Sequence, residues 1–399
     1  MPAPTFNRHV SAIKESITLA VTSRASAMKA QGIDVVSMSA GEPDFDTPQH
    51  IKDAAIKAIQ DGFTKYTPVA GIPELRKAVA EKFRRENGLV YEPAQTLVSI
   101  GGKHSCYLAV AALVDEGDEV IIPAPYWVSY PDMVILAGGT PVFIETSSET
   151  GLKVTPEQLR AAITPRTKML VLNSPSNPSG AVYSAKELAA LAEVLVGTGV
   201  YILSDEIYEH LIYEGKHVNI LNVRPELGDQ TIIVNGVAKA YAMTGWRIGY
   251  AVGPKVIISE MSKIQSQQTS NATSISQKAT VAALNGSQDH LAAWKAEYRK
   301  RRDYIVERLN RIRGVVCPTP AGAFYVFPDV SAYYGKRFRG KVLCDSVALT
   351  NYLLEEFHVA TVPGSGFGSP DFIRLSYATS MQQIEKAIDR IEKGLGALD

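Results

Sequence analysis

The sequence predicts an α/β fold, with a doubly wound, mostly parallel central sheet beside a smaller α+β unit. Three observations predict it. Helical and strand patterns alternate from residue 48 to residue 285. Several strands, such as Met169-Leu170-Val171-Leu172, are unbroken apolar runs rather than alternating ones, as in a sheet buried on both faces. A chain of 399 residues is also longer than one simple core usually serves.

The apolar spacing predicts helices over 48–61, 72–87, 104–113, 184–197 and 274–285. Strands are expected at 119–122, 141–145, 168–172, 200–204, 231–235 and 247–252, with a further one ending at Ile100. A long helix over 290–313 follows, whose basic run Arg299-Lys300-Arg301-Arg302 reads as a solvated face. Then come an extended segment at 323–327, a helix at 345–356, strands near 359–362 and 372–377, and a last helix from Met381. The N-terminal residues are expected to join this second unit through a strand at 33–38. The expected division is a large domain over 46–289 and a small one over 1–45 plus 290–399.

Lysine plus arginine and aspartate plus glutamate both number 41, so no net field draws the chain toward nucleic acid or an anionic membrane. The three cysteines, Cys106, Cys317 and Cys344, are far apart in sequence, which argues against a disulfide scaffold and a structural zinc site. The seven histidines lack close ligand spacing, so no metal centre is expected. Neither a signal peptide nor an apolar run long enough to cross a membrane is visible. These features fit a cytoplasmic enzyme acting on small molecules.

Ligands of open α/β sheets bind beyond the carboxyl ends of the strands. Gly101-Gly102-Lys103 follows the first strand and opens a helix, where free backbone N–H groups suit a phosphate. Gly364-Ser365-Gly366-Phe367-Gly368 opens no helix within a βαβ unit and is a weaker candidate. Pro125-Tyr126-Trp127 offers an aromatic plane at another strand end. Asn173 to Gly180 holds two prolines in eight residues, an ordered extended loop with an amide to donate. Ser204-Asp205-Glu206-Ile207-Tyr208 places a carboxylate where burial is costly without a partner, and a pyridinium N–H is a suitable partner. Val237-Ala238-Lys239 puts one lysine in an almost uncharged stretch, which favours the neutral, nucleophilic amine, and Arg247 stands eight residues on. Together these groups suit a phosphorylated aldehyde on a pyridine ring, which is pyridoxal 5'-phosphate.

With Ser39-Ala40-Gly41-Glu42-Pro43-Asp44-Phe45, Lys65-Tyr66-Thr67-Pro68 and Phe372-Ile373-Arg374-Leu375-Ser376-Tyr377, these motifs resemble a fold-type I pyridoxal-phosphate aminotransferase of class I, subgroup Ib, over nearly the whole chain. The resemblance implies that Lys239 carries the cofactor and moves the proton, and that Asp205 pairs with the ring nitrogen. It further implies that Tyr208 and Asn177 bond the phenolic oxygen and that Trp127 stacks on the ring. Gly101, Gly102, Lys103 and Arg247 would hold the phosphate, and Tyr66 would reach the phosphate of a neighbouring subunit in a homodimer. Arg374 and the Gly41 backbone would grip the substrate α-carboxylate, with Trp127 and Asn177 beside it. Ala238 stands where many relatives have a phosphate-binding serine.

Lys103 would meet the distal carboxylate of aspartate, while Lys14, Ser16 and Thr18 match positions that accompany prephenate transamination in relatives. Glu15 replaces the proline usual after the first of those residues. The expected activity is therefore transfer of the aspartate amino group to 2-oxoglutarate by a ping-pong route, with prephenate as a second acceptor. The alternatives are an aromatic or alanine-type donor, or a fold-type I C–S β-lyase.

Overall fold

The computed structural model describes residues 5–399. After a short strand β1 (Val36–Ser37), the central sheet is built from β2 (Thr96–Ser99), β3 (Glu119–Pro123), β4 (Thr140–Ile144), β5 (Thr167–Asn173), β6 (Tyr201–Asp205), β7 (Thr231–Gly236) and β8 (Gly249–Val252). Their order is β2-β8-β7-β6-β5-β3-β4. All pairings are parallel except the two made by β8, which runs against both β2 and β7.

The apolar runs now have their reason. Along β5, Met169 and Val171 face one core while Leu170 and Leu172 face the other. The first core includes the helix Gly102–Leu113 and Lys255–Gln268, and the second includes Gln49–Gln60, Pro73–Lys82, Ala185–Leu195 and Ser274–Asn285. Local signals start several helices. Ser184 caps Ala185–Leu195 in a reciprocal pair with Glu187, and Asp345 caps Ser346–Phe357.

A further core gathers around the antiparallel sheet Val362–Pro363, Ile373–Ser376 and Tyr325–Val326, covered by Asp289–Asn310, Ser346–Phe357 and Met381–Gly396. The strand expected at 33–38 forms as β1 and pairs in parallel with Val359–Ala360. Among the described residues, no helix is long and apolar enough to cross a membrane.

Four expectations need correction. The helix over 72–87 is α-helical only to Lys82, continues as one π-type stretch Phe83–Asn87, and stops at left-handed Gly88. The strand at 247–252 begins at Gly249, because Arg247 has a φ of 56° that no strand accommodates. The helix at 104–113 begins earlier, at Gly102. The basic run is not one solvated face. Arg299 and Lys300 are exposed, but the helical period turns Arg301 and Arg302 inward. Arg301 pairs with both carboxylate oxygens of Asp44, at 2.8 and 2.9 Å, and Arg302 stacks 4.8 Å from the Tyr213 ring centre.

Candidate active site

A cavity of about 410 Å³ opens at the carboxyl ends of β5 and β6, bounded also by Tyr325 and Arg374 of the antiparallel sheet. It is lined by Gly41, Gly102, Lys103, Trp127, Asn177, Asp205, Tyr208, Lys239, Arg247 and Arg374, with Ser16 and Thr18 at one wall. The antiparallel run of β8 matters here. The connection from β7 to β8 begins and ends on this edge, so it delivers both Lys239 and Arg247 to one cavity.

Lys239 follows Val237 and Ala238, both buried. Its Nζ donates to the carbonyl of Gly41. Burial holds its pKa down at about 8, helped by the positive charges of Arg374 and Arg247 and opposed by Glu42 and Asp205. The amine is thereby much closer to its reactive neutral form than a solvated lysine.

Asp205 ends β6 and is buried. Tyr130 donates to its Oδ2 at 2.6 Å, Cys106 approaches the same oxygen at 3.7 Å, and the Ile207 amide donates to Oδ1 at 3.2 Å. Burial raises its pKa, and the Tyr130 and Ile207 bonds work against that. Among the described residues, no basic side chain forms an ion pair with it, so the cavity holds a desolvated carboxylate in search of a cationic donor.

The helix Gly102–Leu113 points its free amides at the cavity. Close approach depends on two glycines. Gly101 has a φ of 84°, and a Cβ there would lie 2.4 Å from the Arg247 guanidinium. A Cβ on Gly249 would lie 2.3 Å from the Gly101–Gly102 backbone. Arg247 is steadied by the carbonyls of Thr244 at 2.9 Å and Ile100 at 3.3 Å.

Arg374 is 2% exposed and has no carboxylate partner among the described residues. One arm donates to Asn177 Oδ1 at 2.9 Å and the other to the carbonyl of Ser39 at 2.6 Å. Its guanidinium sits between the rings of Tyr325 and Phe367, 4.6 and 5.1 Å from their centres, and burial lowers its pKa. A buried cation so held is suited to a fork-shaped bond with a carboxylate. Lys103 also lines the cavity, its Nζ 5.1 Å from the Trp127 ring centre, with partial desolvation and then Arg247 lowering its pKa.

Two candidates lie elsewhere in this chain. Tyr66 is 90% exposed and lines no part of the cavity, and Lys14 is exposed outside it, near Asp132. The sequence reading missed Tyr130, Tyr325 and Cys106. Tyr325 bonds the hydroxyl of Tyr208 at 2.7 Å. Only the placement of Tyr130 three residues past Trp127 hinted at its position.

Behind Asp205 lies a second polar cluster. The groups Glu86–Glu209–His210 and Glu206–Glu209–His217 each bring possible ligand atoms within 4.8 Å. The buried ammonium of Lys82 already pairs with Glu209, and Asn235 donates to the same carboxylate at 2.7 Å. This is an internal ion network that fixes the Asp205–Tyr208 turn.

The whole chain also resembles known proteins. Residues 33–391 match the family of aminotransferase class I and II. The chain belongs to that family. Aspartate aminotransferase of Geobacillus stearothermophilus is 52% identical, with 98% of each chain covered. Aspartate/prephenate aminotransferase of Cereibacter sphaeroides is 54% identical over 95% of this chain and 96% of the relative. Among solved structures, the aspartate aminotransferase from Rhizobium meliloti superposes with a TM-score of 0.96 at 48% identity, covering 100% of both chains. The aspartate aminotransferase from Thermus thermophilus with maleate gives 0.92 at 48% identity, covering 98% of this chain and 100% of that one.

The aminotransferase therefore acts on amino acids and 2-oxo acids with pyridoxal 5'-phosphate as cofactor, on a fold-type I scaffold. Its residues fit that group: an unpaired buried carboxylate for a ring N–H, a helix N-terminus cleared by glycine for a phosphate, and a lysine of lowered pKa for an aldehyde.

Proposed function

We propose that this aminotransferase moves the amino group of L-aspartate to 2-oxoglutarate, and that prephenate is a second amino acceptor. The observation that carries the reading is the pair of cations lining one cavity, Lys103 and Arg374, the latter buried without a carboxylate partner among the described residues. A substrate with a carboxylate at each end satisfies both. The Thermus relative was solved with maleate, a dicarboxylate, and the relatives' names carry aspartate and prephenate. For prephenate, the supporting feature is the N-terminal wall, with Ser16 and Thr18 on the cavity and the Thr18 hydroxyl buried without a partner. Lys14 lies just before them, and Glu15 bears on the breadth of acceptors.

In this reading Gly101, Gly102 and Lys103 offer backbone to the phosphate and Arg247 offers charge, while Ala238 supplies no hydroxyl. Trp127 would stack on the ring, Asp205 would keep a proton on its nitrogen, and Tyr208 and Asn177 would donate toward its phenolic oxygen. Pyridoxal 5'-phosphate, when bound, supplies the carbonyl that accepts the amino group and a ring that stores the electron pair left at the substrate Cα. Lys239 would take the substrate Cα proton on its Nζ and later return it. Arg374 and the Gly41 backbone hold the α-carboxylate so that this proton faces Lys239.

The same reading includes a homodimer in which Tyr66 serves the neighbouring subunit's cavity, which accounts for a tyrosine 90% exposed in one chain. It divides the chain into a large domain over 46–289 and a small one over 1–45 plus 290–399, and places the enzyme in the cytoplasm.

The test is the absorption spectrum of the purified protein before and after L-aspartate alone. A visible band that moves to the near-ultraviolet and returns with 2-oxoglutarate supports cofactor and donor together. A band indifferent to aspartate but responsive to alanine or an aromatic amino acid refutes the donor.

A further inference from the structure

Two of the side chains that hold Asp205, Tyr130 and Cys106, lie outside the family motifs. Its Oδ2 receives the Tyr130 hydroxyl at 2.6 Å and faces the Cys106 thiol at 3.7 Å, while its Oδ1 receives only the Ile207 amide. A thiol is a weak donor, so Tyr130 supplies the one strong side-chain bond to this carboxylate. Tyr130 has a second contact with the site. Its ring meets the Trp127 ring edge to face, with centres 5.2 Å apart and planes at 86°. Tyr130 is the second residue of the helix Ser129–Leu136, Trp127 precedes that helix by two residues, and Tyr130 is 2% exposed. One buried side chain thus touches the carboxylate at the end of the cavity and the aromatic wall along its side.

We propose that Tyr130 is a positioning residue of the cofactor site, whose hydroxyl fixes the Asp205 carboxylate and favours its anionic state while its ring seats Trp127. This rests on the reading of Asp205 as partner of the ring nitrogen. Without the hydroxyl, Oδ2 keeps only the thiol. A buried anion with fewer donors is costlier, and the carboxylate then gains rotational freedom and proton affinity.

Tyr130→Phe separates the two contacts, because phenylalanine keeps the ring against Trp127 and removes only the hydroxyl. Two probes on the full-length apoprotein read the consequence without chemistry. Pyridoxamine phosphate reaches both the phosphate cradle and Asp205, whereas inorganic phosphate reaches the cradle alone. Tyr130→Phe is expected to weaken pyridoxamine phosphate roughly ten- to a hundredfold, as for loss of a bond to a charged group, and to leave phosphate affinity unchanged. Tyr352→Phe, which removes a buried hydroxyl that donates to the Gly394 carbonyl between helices Ser346–Phe357 and Met381–Gly396 and lines no part of the cavity, should change neither. Equal loss of both probes in Tyr130→Phe overturns the proposal in favour of a general packing role, and no loss of either overturns it outright. Asp205→Asn in parallel separates the two ideas. If it leaves pyridoxamine phosphate binding intact, the reading of Asp205 falls and the proposal with it. If it weakens binding while Tyr130→Phe does not, only the proposal falls.

Discussion

Replacing Lys103 with methionine is the sharpest test of substrate choice, because the result is a ratio. Lys103 is the second residue of the helix Gly102–Leu113, so its backbone stays at the cradle while its side chain crosses the rim. Methionine keeps the length and the packing on Trp127 and removes only the charge. A charge-assisted bond to a carboxylate contributes about 1.5–3 kcal/mol net, which is roughly ten- to a hundredfold in a rate constant. Lys103 is an exposed residue in the single chain, its amine only partly desolvated, so the lower half of that range applies. Hence kcat/KM for aspartate should fall about ten- to thirtyfold, with alanine unchanged or slightly improved. Stopped-flow half-reactions with each amino acid, followed by loss of the visible band, give both numbers from one preparation. If aspartate and alanine fall by the same factor, Lys103 serves the cofactor or the fold, and the argument from a second carboxylate is refuted.

Covalent uptake of pyridoxal phosphate by the apoprotein should follow the neutral amine of Lys239, whose pKa is about 8. Below that value each unit of pH removes about nine-tenths of the reactive form, so a flat rate between about pH 6 and about pH 9 contradicts the assignment. Lys82→Met should destabilise the apoprotein by about 3–5 kcal/mol in urea titrations, since it leaves buried Glu209 without its ammonium, and a second change of Glu209→Gln should recover much of the loss. Burial alone would raise the Glu209 pKa, but Lys82 and the nearby histidines hold it well below the usual range. Its contribution to stability is therefore present above the ordinary carboxylate range and is lost as pH falls, a loss absent from the Glu209→Gln protein. Gly101→Ala should weaken cofactor binding more than tenfold at unchanged fold, as its methyl would displace the Arg247 guanidinium, which equilibrium dialysis can measure.

The sheet and the residues at its strand ends were legible because both follow from local rules. An unbroken run such as Met169 to Leu172 must face two cores, and a parallel strand must end near the site. The order of strands was not legible, because nothing local distinguishes antiparallel β8 from its parallel neighbours until pairing is known. Arg301 and Arg302 were misread for a similar reason. Their charge argued for solvent, while Asp44 and Tyr213, which receive them, lie far away in sequence. Helix Ile17–Ala30 has almost no amphipathic signal, with only Ala25 buried, and went unseen. Tyr130 and Tyr325 escaped because their partners, Asp205 and Tyr208, come from other strand ends.

The loop between β7 and β8 works as a caliper. Val237, Ala240, Tyr241, Met243 and Ile248 anchor it in the core, and Thr47 fastens it by accepting from Trp246 at 3.0 Å and donating to the Ala242 carbonyl at 2.7 Å. Its two jaws, Lys239 and Arg247, therefore stand at a separation set by counting residues rather than by the slower adjustments of neighbouring helices. Substitutions along the loop can be absorbed by repacking, but a single insertion or deletion within it changes the gauge of the whole site. Length variation among descendants of this sequence should be filtered out here even where side chains drift.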